Sequence, residues 1–314
     1  MMKPDWARRD ILKLGLRELP LWATASLIGI DRASAATDVT ADPAEGRTLV
    51  FDEPFEEING RIWNGGPKAT IGPSGYYGRS AFAPLSGAEG FKPYEIIEDA
   101  DATGGTALQI SAKYIGRKMA VVNYYGNDTP DYQWISGNLQ AGSRSGAVSV
   151  GWARGYFEAR MKFPRHPLTW PAFWLLNRDG ILNTKRSIEV DVVEQKGFEP
   201  NLYGVYLHEW GQPGEHHEGS GVPTPVDMTR QYCRYGVLIQ DGKCIPYFDR
   251  KPVINPATKQ VNIWTLTRAS EMAATGDVFW PLLTLALRTD VPAPELTEAE
   301  KLVHMQVDYF RVYI

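Results

Sequence analysis

Three carboxylates crowd one short apolar run, Ile188-Glu189-Val190-Asp191-Val192-Val193-Glu194. Along a β-strand alternate side chains share a face. Glu189 and Asp191 therefore point one way, and Ile188, Val190 and Val192 the other. The apolar set belongs in a core, which turns the acids outward. Glu194 is one residue out of phase. A β-bulge, one extra residue in the strand, restores the phase and aligns all three acids on one face. Like charges held this close disfavour ionisation, so such a cluster raises the pKa of at least one member. One ionised and one protonated carboxyl on a common surface are the equipment for cleaving a glycosidic bond, and a retaining enzyme sets them ~5–5.5 Å apart. A solvated acidic face and a calcium-binding patch are the other readings of this strand taken alone.

The flanking segments favour the sugar chemistry. Trp170-Pro171-Ala172-Phe173-Trp174-Leu175-Leu176 precedes the acids, and its two tryptophans share parity. Tyr206, His208 and Trp210 share parity on the following segment, with Val205 and Leu207 on the other side. In Gly155-Tyr156-Phe157-Glu158-Ala159-Arg160-Met161, Glu158 and Arg160 oppose Phe157, Ala159 and Met161. A single sheet built from these strands presents Trp170, Trp174, Arg160, His208, Trp210 and three acids on one surface. Aromatic faces beside paired carboxylates suit a polysaccharide better than bulk water.

The elements that position these residues read as strands. From Thr48 onward short β-type runs alternate in polarity and are broken by Gly, Pro, Asn and Asp, the signature of sheets with one buried face. The clearest are residues 106–112, 155–163, 187–194, 202–208 and 305–313. A short helix is expected over 295–302, before the last strand. No fixed repeat or Pro/Ser-rich linker divides the chain, so residues 48–314 read as one domain. The chain has 314 residues, 43% hydrophobic and 22% charged, which excludes a disordered chain, a collagen-like repeat and a disulfide-dense mini-protein. A net charge of −4 lacks the basic footprint that nucleic acid demands. Ten Trp, 15 Tyr and 11 Phe fit β cores, and also flat platforms for sugar rings. Asp241-Gly242 marks a tight hairpin that sets Cys244 near Ile239 and Cys233 near Arg250. That spacing keeps the two cysteines too far apart to bridge, so both are expected as free thiols.

Residues 1–35 read as an export signal. Arg8-Arg9-Asp10-Ile11-Leu12-Lys13 precedes an apolar stretch from Leu19 to Ile30, and Ala33-Ser34-Ala35 offers a small-x-small cleavage site. The arginine pair resembles a bacterial twin-arginine signal. The expectation is an exported, periplasmic or extracellular monomer, with a tail over 36–47 and no membrane contact once the leader is removed.

Taken together, these segments resemble glycoside hydrolase family 16. The acid motif stands in the bulged form Glu-x-Asp-x-x-Glu, flanked in the expected order by the Gly155–Arg160 and Trp170–Leu176 segments. Val307-Asp308-Tyr309-Phe310-Arg311-Val312-Tyr313 is similar to the family's closing strand. The resemblance runs from about residue 48 to the end and implies an all-β fold. That fold is a concanavalin A-like jelly-roll sandwich of two antiparallel sheets with an open concave substrate cleft. It implies a retaining, endo-acting hydrolase of β-linked polysaccharide, with Glu189 as nucleophile, Glu194 as acid/base and Asp191 between them. Trp170 and Trp174 would line the subsites, with His208 near the catalytic centre. No cofactor is required. Some members hold a structural calcium through the last strand, which makes Asp308 the candidate metal ligand here. One departure follows Tyr235-Gly236-Val237, where many relatives carry a tryptophan-rich hairpin and this chain has Leu238-Ile239-Gln240. Residues 211–221 are expected as a loop at the cleft edge, although Glu215, His216, His217 and Glu218 are metal-type side chains. A transglycosylase using the same residues and a non-catalytic carbohydrate-binding jelly roll are the competing functions.

Overall fold

A computed structural model of the chain describes residues 39–64, 75–117, 119, 132–211, 214–288 and 295–314. The segment expected as an export signal, residues 1–35, and the first part of the expected tail lie outside the described residues.

The described residues form an all-β, two-sheet jelly-roll sandwich. The smaller sheet has six strands: β6 (Asn138–Gln140), β8 (Thr169–Asn177), β9 (Ile188–Gln195), β10 (Leu202–Glu209), β11 (His216–Pro223) and β16 (Phe279–Leu287). Their order is β11-β10-β9-β8-β16-β6. The larger sheet is built on β4 (Thr106–Tyr114), β7 (Gly155–Lys162), β12 (Cys233–Gln240), β13 (Lys243–Phe248) and β17 (Leu302–Tyr313). Shorter strands complete it: β1 (Leu49–Glu53), β2 (Ala81–Phe82), β3 (Tyr94–Glu98), β5 (Trp134–Ser136), β14 (Lys251–Pro252) and β15 (Trp264–Thr265). Its spine runs β14-β13-β12-β7-β17-β4-β5-β2. Pairing is antiparallel except for the short contact of β2 with β5.

The core fills the space between the sheets. Phe157, Ala159 and Met161 of β7 and Val307, Phe310 and Val312 of β17 pack in one cluster with Phe173 and Leu175 of β8, Val190 of β9 and Leu283 of β16. Alternation along β7, β8 and β9 thus sends one set inward and the other to an outer face. Two short helices, α1 (Arg178–Leu182) and α2 (Ala269–Thr275), lie in connections. The expected helix before the last strand is a single 3-10 turn, Glu298–Lys301. It is capped reciprocally by Thr297 and Glu300. The β12–β13 hairpin turns through Asp241 and Gly242, both at positive φ (50° and 69°), as a two-residue type I′ turn requires. Cys244 faces Ile239 across it, and both cysteines are free and buried. Among the described residues no helix is long and apolar enough to cross a membrane.

Candidate active site

The bulge that the acid spacing demands is present in β9. Trp174 of β8 stands opposite Asp191 and Phe173 opposite Val193, so the register slips by one residue between them. The same slip appears against β10, where Tyr206 faces Asp191 and Gly204 faces Glu194. Val192 and Val193 are both buried in the core cluster, at 1% and 0% exposure. Burying a valine side chain is worth roughly 1.5–3 kcal/mol. A regular strand would turn one of these valines outward. The bulge therefore gains a core side chain and brings Glu194 into phase with Glu189 and Asp191.

All three acids line one pocket on the outer face of the smaller sheet. Trp170, Ala172 and Trp174 of β8 and Thr284 and Ala286 of β16 complete its floor, with Gly78 and Arg79 from the segment before β2. Trp174 is fixed in plane by its indole N–H, which donates to the Thr284 hydroxyl at 2.9 Å. Glu189 and Asp191 are 5% and 3% exposed, whereas Glu194 is half-buried.

A column of rings from β10 and the residue that follows it stands beside the acids. Tyr206, His208 and Trp210 stack in sequence, with centroids 5.8 Å and 5.0 Å apart and planes within 15° and 26°. The Trp210 indole N–H donates to Glu189 Oε2 at 2.8 Å. His208 Nε2 lies 3.5 Å from Asp191 Oδ2. Burial, reinforced by the charges of Glu194 and Asp191, pushes the Tyr206 phenol up to about 12. Tyr206 can therefore act as a neutral hydroxyl but not as an anion at neutral pH. Its ring lies flat against the sheet because Gly204 and Gly219 leave room. A Cβ at either would stand 2.4 Å or 2.2 Å from a ring carbon.

Two sequence-based placements are corrected. Arg160 is not in this pocket. Its strand, β7, belongs to the larger sheet, between β12 and β17. On that sheet's outer face its guanidinium pairs with Asp308 and donates to the Asp101 carbonyl at 3.0 Å. The error lay in assigning all the alternating strands to one sheet. Asp308 also departs from expectation. Its carboxylate accepts from the Thr103 amide at 2.9 Å and hydroxyl at 2.7 Å, besides meeting Arg160. A fixed guanidinium already supplies the positive charge at this carboxylate, so these residues do not fit a calcium ion liganded by Asp308.

The segment expected as a cleft-edge loop is also corrected. Residues 216–223 form β11, the edge strand of the smaller sheet, paired along the length of β10. Among the described residues no group of three or more His, Cys, Asp or Glu side chains is arranged to hold a metal ion. Instead His217 turns toward His208, with Nδ1 atoms 2.9 Å apart.

Sequence reasoning missed Gly78, Arg79, Thr284 and Ala286. The first pair carries no periodic signal. Thr284 and Ala286 lie in a strand buried at every position, Phe279–Leu287, where alternation is silent.

No family model matches the chain. Among curated proteins, an endo-1,3-1,4-beta-glycanase, EglC, of Rhizobium meliloti (strain 1021) is 28% identical over 186 residues, 59% of this chain and 35% of that protein. Glucan endo-1,3-beta-glucosidase A1 of Niallia circulans is 29% identical over 166 residues, 51% of this chain and 24% of its own length. The matched part thus spans about a third or less of these two relatives. Among solved structures, the laminarinase catalytic domain from Thermotoga maritima MSB8 superposes with a TM-score of 0.54 at 20% identity. The match covers 86% of this chain and 98% of that one. The structural likeness establishes the fold.

Proposed function

We propose that the chain is an exported, retaining endo-β-glycanase of glycoside hydrolase family 16. Its substrate would be a β-1,3- or mixed-linkage glucan or a bacterial exopolysaccharide. The observation that carries this reading is the β9 bulge, which sets Glu189, Asp191 and Glu194 into one pocket floored by Trp170 and Trp174. The names borne by the curated relatives point the same way.

In this reading a sugar ring lies over the tryptophans, and its anomeric carbon meets Glu189. Glu194, the less buried acid, protonates the departing glycosidic oxygen as Glu189 forms the glycosyl-enzyme. Glu194 then takes a proton from the water that releases the sugar. The Trp210 N–H donates to Glu189 Oε2 and fixes the carboxylate plane. Asp191 sits between the two, steadied by His208. No cofactor enters these steps.

The test is product release from a panel of β-glucans, galactans and bacterial exopolysaccharides, wild type against Glu189→Gln. Oligosaccharides from one polymer class are expected, with kcat in the variant lower by at least about a thousandfold, as when a covalent nucleophile is removed. Equal turnover by the two proteins would reject the assignment. Elongated products would shift the reading to a transglycosylase. Binding without products would shift it to a carbohydrate-binding module.

A further inference from the structure

A chain of four side chains leads from the pocket floor to solvent, and its outer half has no part in the mechanism above. Asp191 Oδ2 lies 3.5 Å from His208 Nε2, and His208 Nδ1 lies 2.9 Å from His217 Nδ1. His217 Nε2 lies 3.5 Å from Glu215 Oε2. Side-chain exposure rises along it, from 4% at Asp191 and 7% at His208 to 38% at His217 and 49% at Glu215. The rings are held face and edge. His217 stands 5.0 Å from His208 and 4.8 Å from Trp210, the residue that donates to Glu189.

The direct Nδ1 to Nδ1 contact restricts the protons. A hydrogen bond needs one nitrogen bearing a proton and one bare. With one positive charge on the pair, every position in the chain is satisfied. Either His208 is neutral and donates from Nε2 to Asp191 while His217 is the cation, or the charge is exchanged and His217 donates from Nε2 to Glu215. Two charges place a proton on both Nδ1 atoms and break the contact. With no charge, one of the two carboxylates loses its donor. The geometry therefore favours one shared proton between two carboxylates.

We propose that His217, oriented by Glu215, is a positioning residue that fixes the ring and proton of His208 and, through it, the donor presented to Asp191. Among the described residues, Glu189 of β9 stands opposite His208 across the sheet, Tyr206 of β10 stacks on it, and His216 of β11, turned toward Glu218 at 3.8 Å, adds its charge beside His217. Burial and the neighbouring charge of His208 hold His217 below the ordinary imidazole range, consistent with a pair that resists a second proton. This inference rests on the hydrolytic reading for its consequence, but the shared proton has its own readout.

The test is made on the full chain with wild type, His217→Ala and His217→Gln. The side-chain nitrogen NMR of the two histidines is followed against pH, together with kcat and KM on a hydrolysed polymer. The wild-type pair should titrate in two coupled steps, with Nε2 of His208 protonated throughout. In His217→Ala, kcat should fall about five- to tenfold with KM within twofold, the effect of one lost orienting hydrogen bond. Its kcat–pH profile should lose the coupled ionisation. His217→Gln, whose amide still meets His208 Nδ1 but carries no proton charge, should recover kcat at the optimum while keeping the altered profile. Independent titration of the two histidines in wild type, or a His217→Ala profile identical to wild type, overturns the proposal. A wild type inactive on every polymer overturns the hydrolytic reading, whereas coupled titration in that same protein still supports the shared proton.

Discussion

On the larger sheet, Glu158 and Asp308 are buried acids met by guanidinium groups. On the smaller sheet, Glu189 and Asp191 are buried acids met by indole and imidazole and brought into one pocket with Glu194. Glu158 is fully buried. Arg250 grips it through two bonds of 2.8 Å and 3.0 Å, and the hydroxyls of Tyr156 and Tyr309 fill its remaining sites at 2.9 Å and 3.0 Å. Asp308 is closed in the same manner by Arg160 and Thr103. The four bonds at Glu158 leave no site on it for a ligand. The pocket acids instead meet an indole N–H and an imidazole, with no guanidinium among these partners, and line an opening. The contrast teaches that burial alone does not mark an acid for chemistry. A full cationic shell marks structure, whereas aromatic donors, other acids and a concavity mark a site.

The comparison can be broken from either side. Glu158→Ala should leave turnover per folded molecule unchanged but destabilise the protein. Removing one partner of a buried ion pair costs about 3–5 kcal/mol, and the low end applies because the Arg250 side chain is a quarter exposed (25%). Urea unfolding monitored by tryptophan fluorescence measures it. A loss below about 1 kcal/mol would mean that the grip on Glu158 is not structural. The opposite signature is expected at Trp210→Phe, which keeps a ring against His208 and removes the donor to Glu189. A hydrogen bond to a charged group contributes about 1.5–3 kcal/mol. If it is made in the transition state, kcat should fall about 10–100-fold. Steady-state kinetics checks this, and a change confined to KM would show that Trp210 serves sugar binding instead.

How far the sequence reveals this contrast depends on which interaction sets each feature. The acid strand is legible because two valines and three carboxylates compete for faces, and only a bulge satisfies both. The hairpin at Asp241-Gly242 is legible because its turn requires positive φ at two successive residues. Which sheet a strand joins is a different matter. Alternation tells Glu158 and Arg160 from Phe157 and Met161 but is the same in either sheet. The partner of Arg160 is Asp308, 148 residues away in sequence. β11 is illegible for a third reason. Glu218-Gly219-Ser220-Gly221 lacks apolar alternation, and the strand exists because β10 offers it an edge. Gly219, which suggests a loop, admits the Tyr206 ring.

The finest test of the comparison lies at Asp99, on the side of the closed acids. Burial works to raise its carboxyl, but the Asp101 amide, the Tyr232 hydroxyl at 2.8 Å and the Lys162 ammonium at 3.4 Å outweigh it and hold it below the usual range. A carboxyl depressed on folding adds stability above its unfolded pKa, and that increment is lost as pH falls through the folded value. Asp99→Asn should therefore lower stability at pH 7 and flatten its decline between about pH 4 and pH 2, the acid side of the ordinary aspartate value. Urea midpoints across that range decide it. Parallel wild-type and variant curves would mean that Asp99 is held no more tightly than a solvated carboxylate, and the closed shell would then be confined to Glu158 and Asp308.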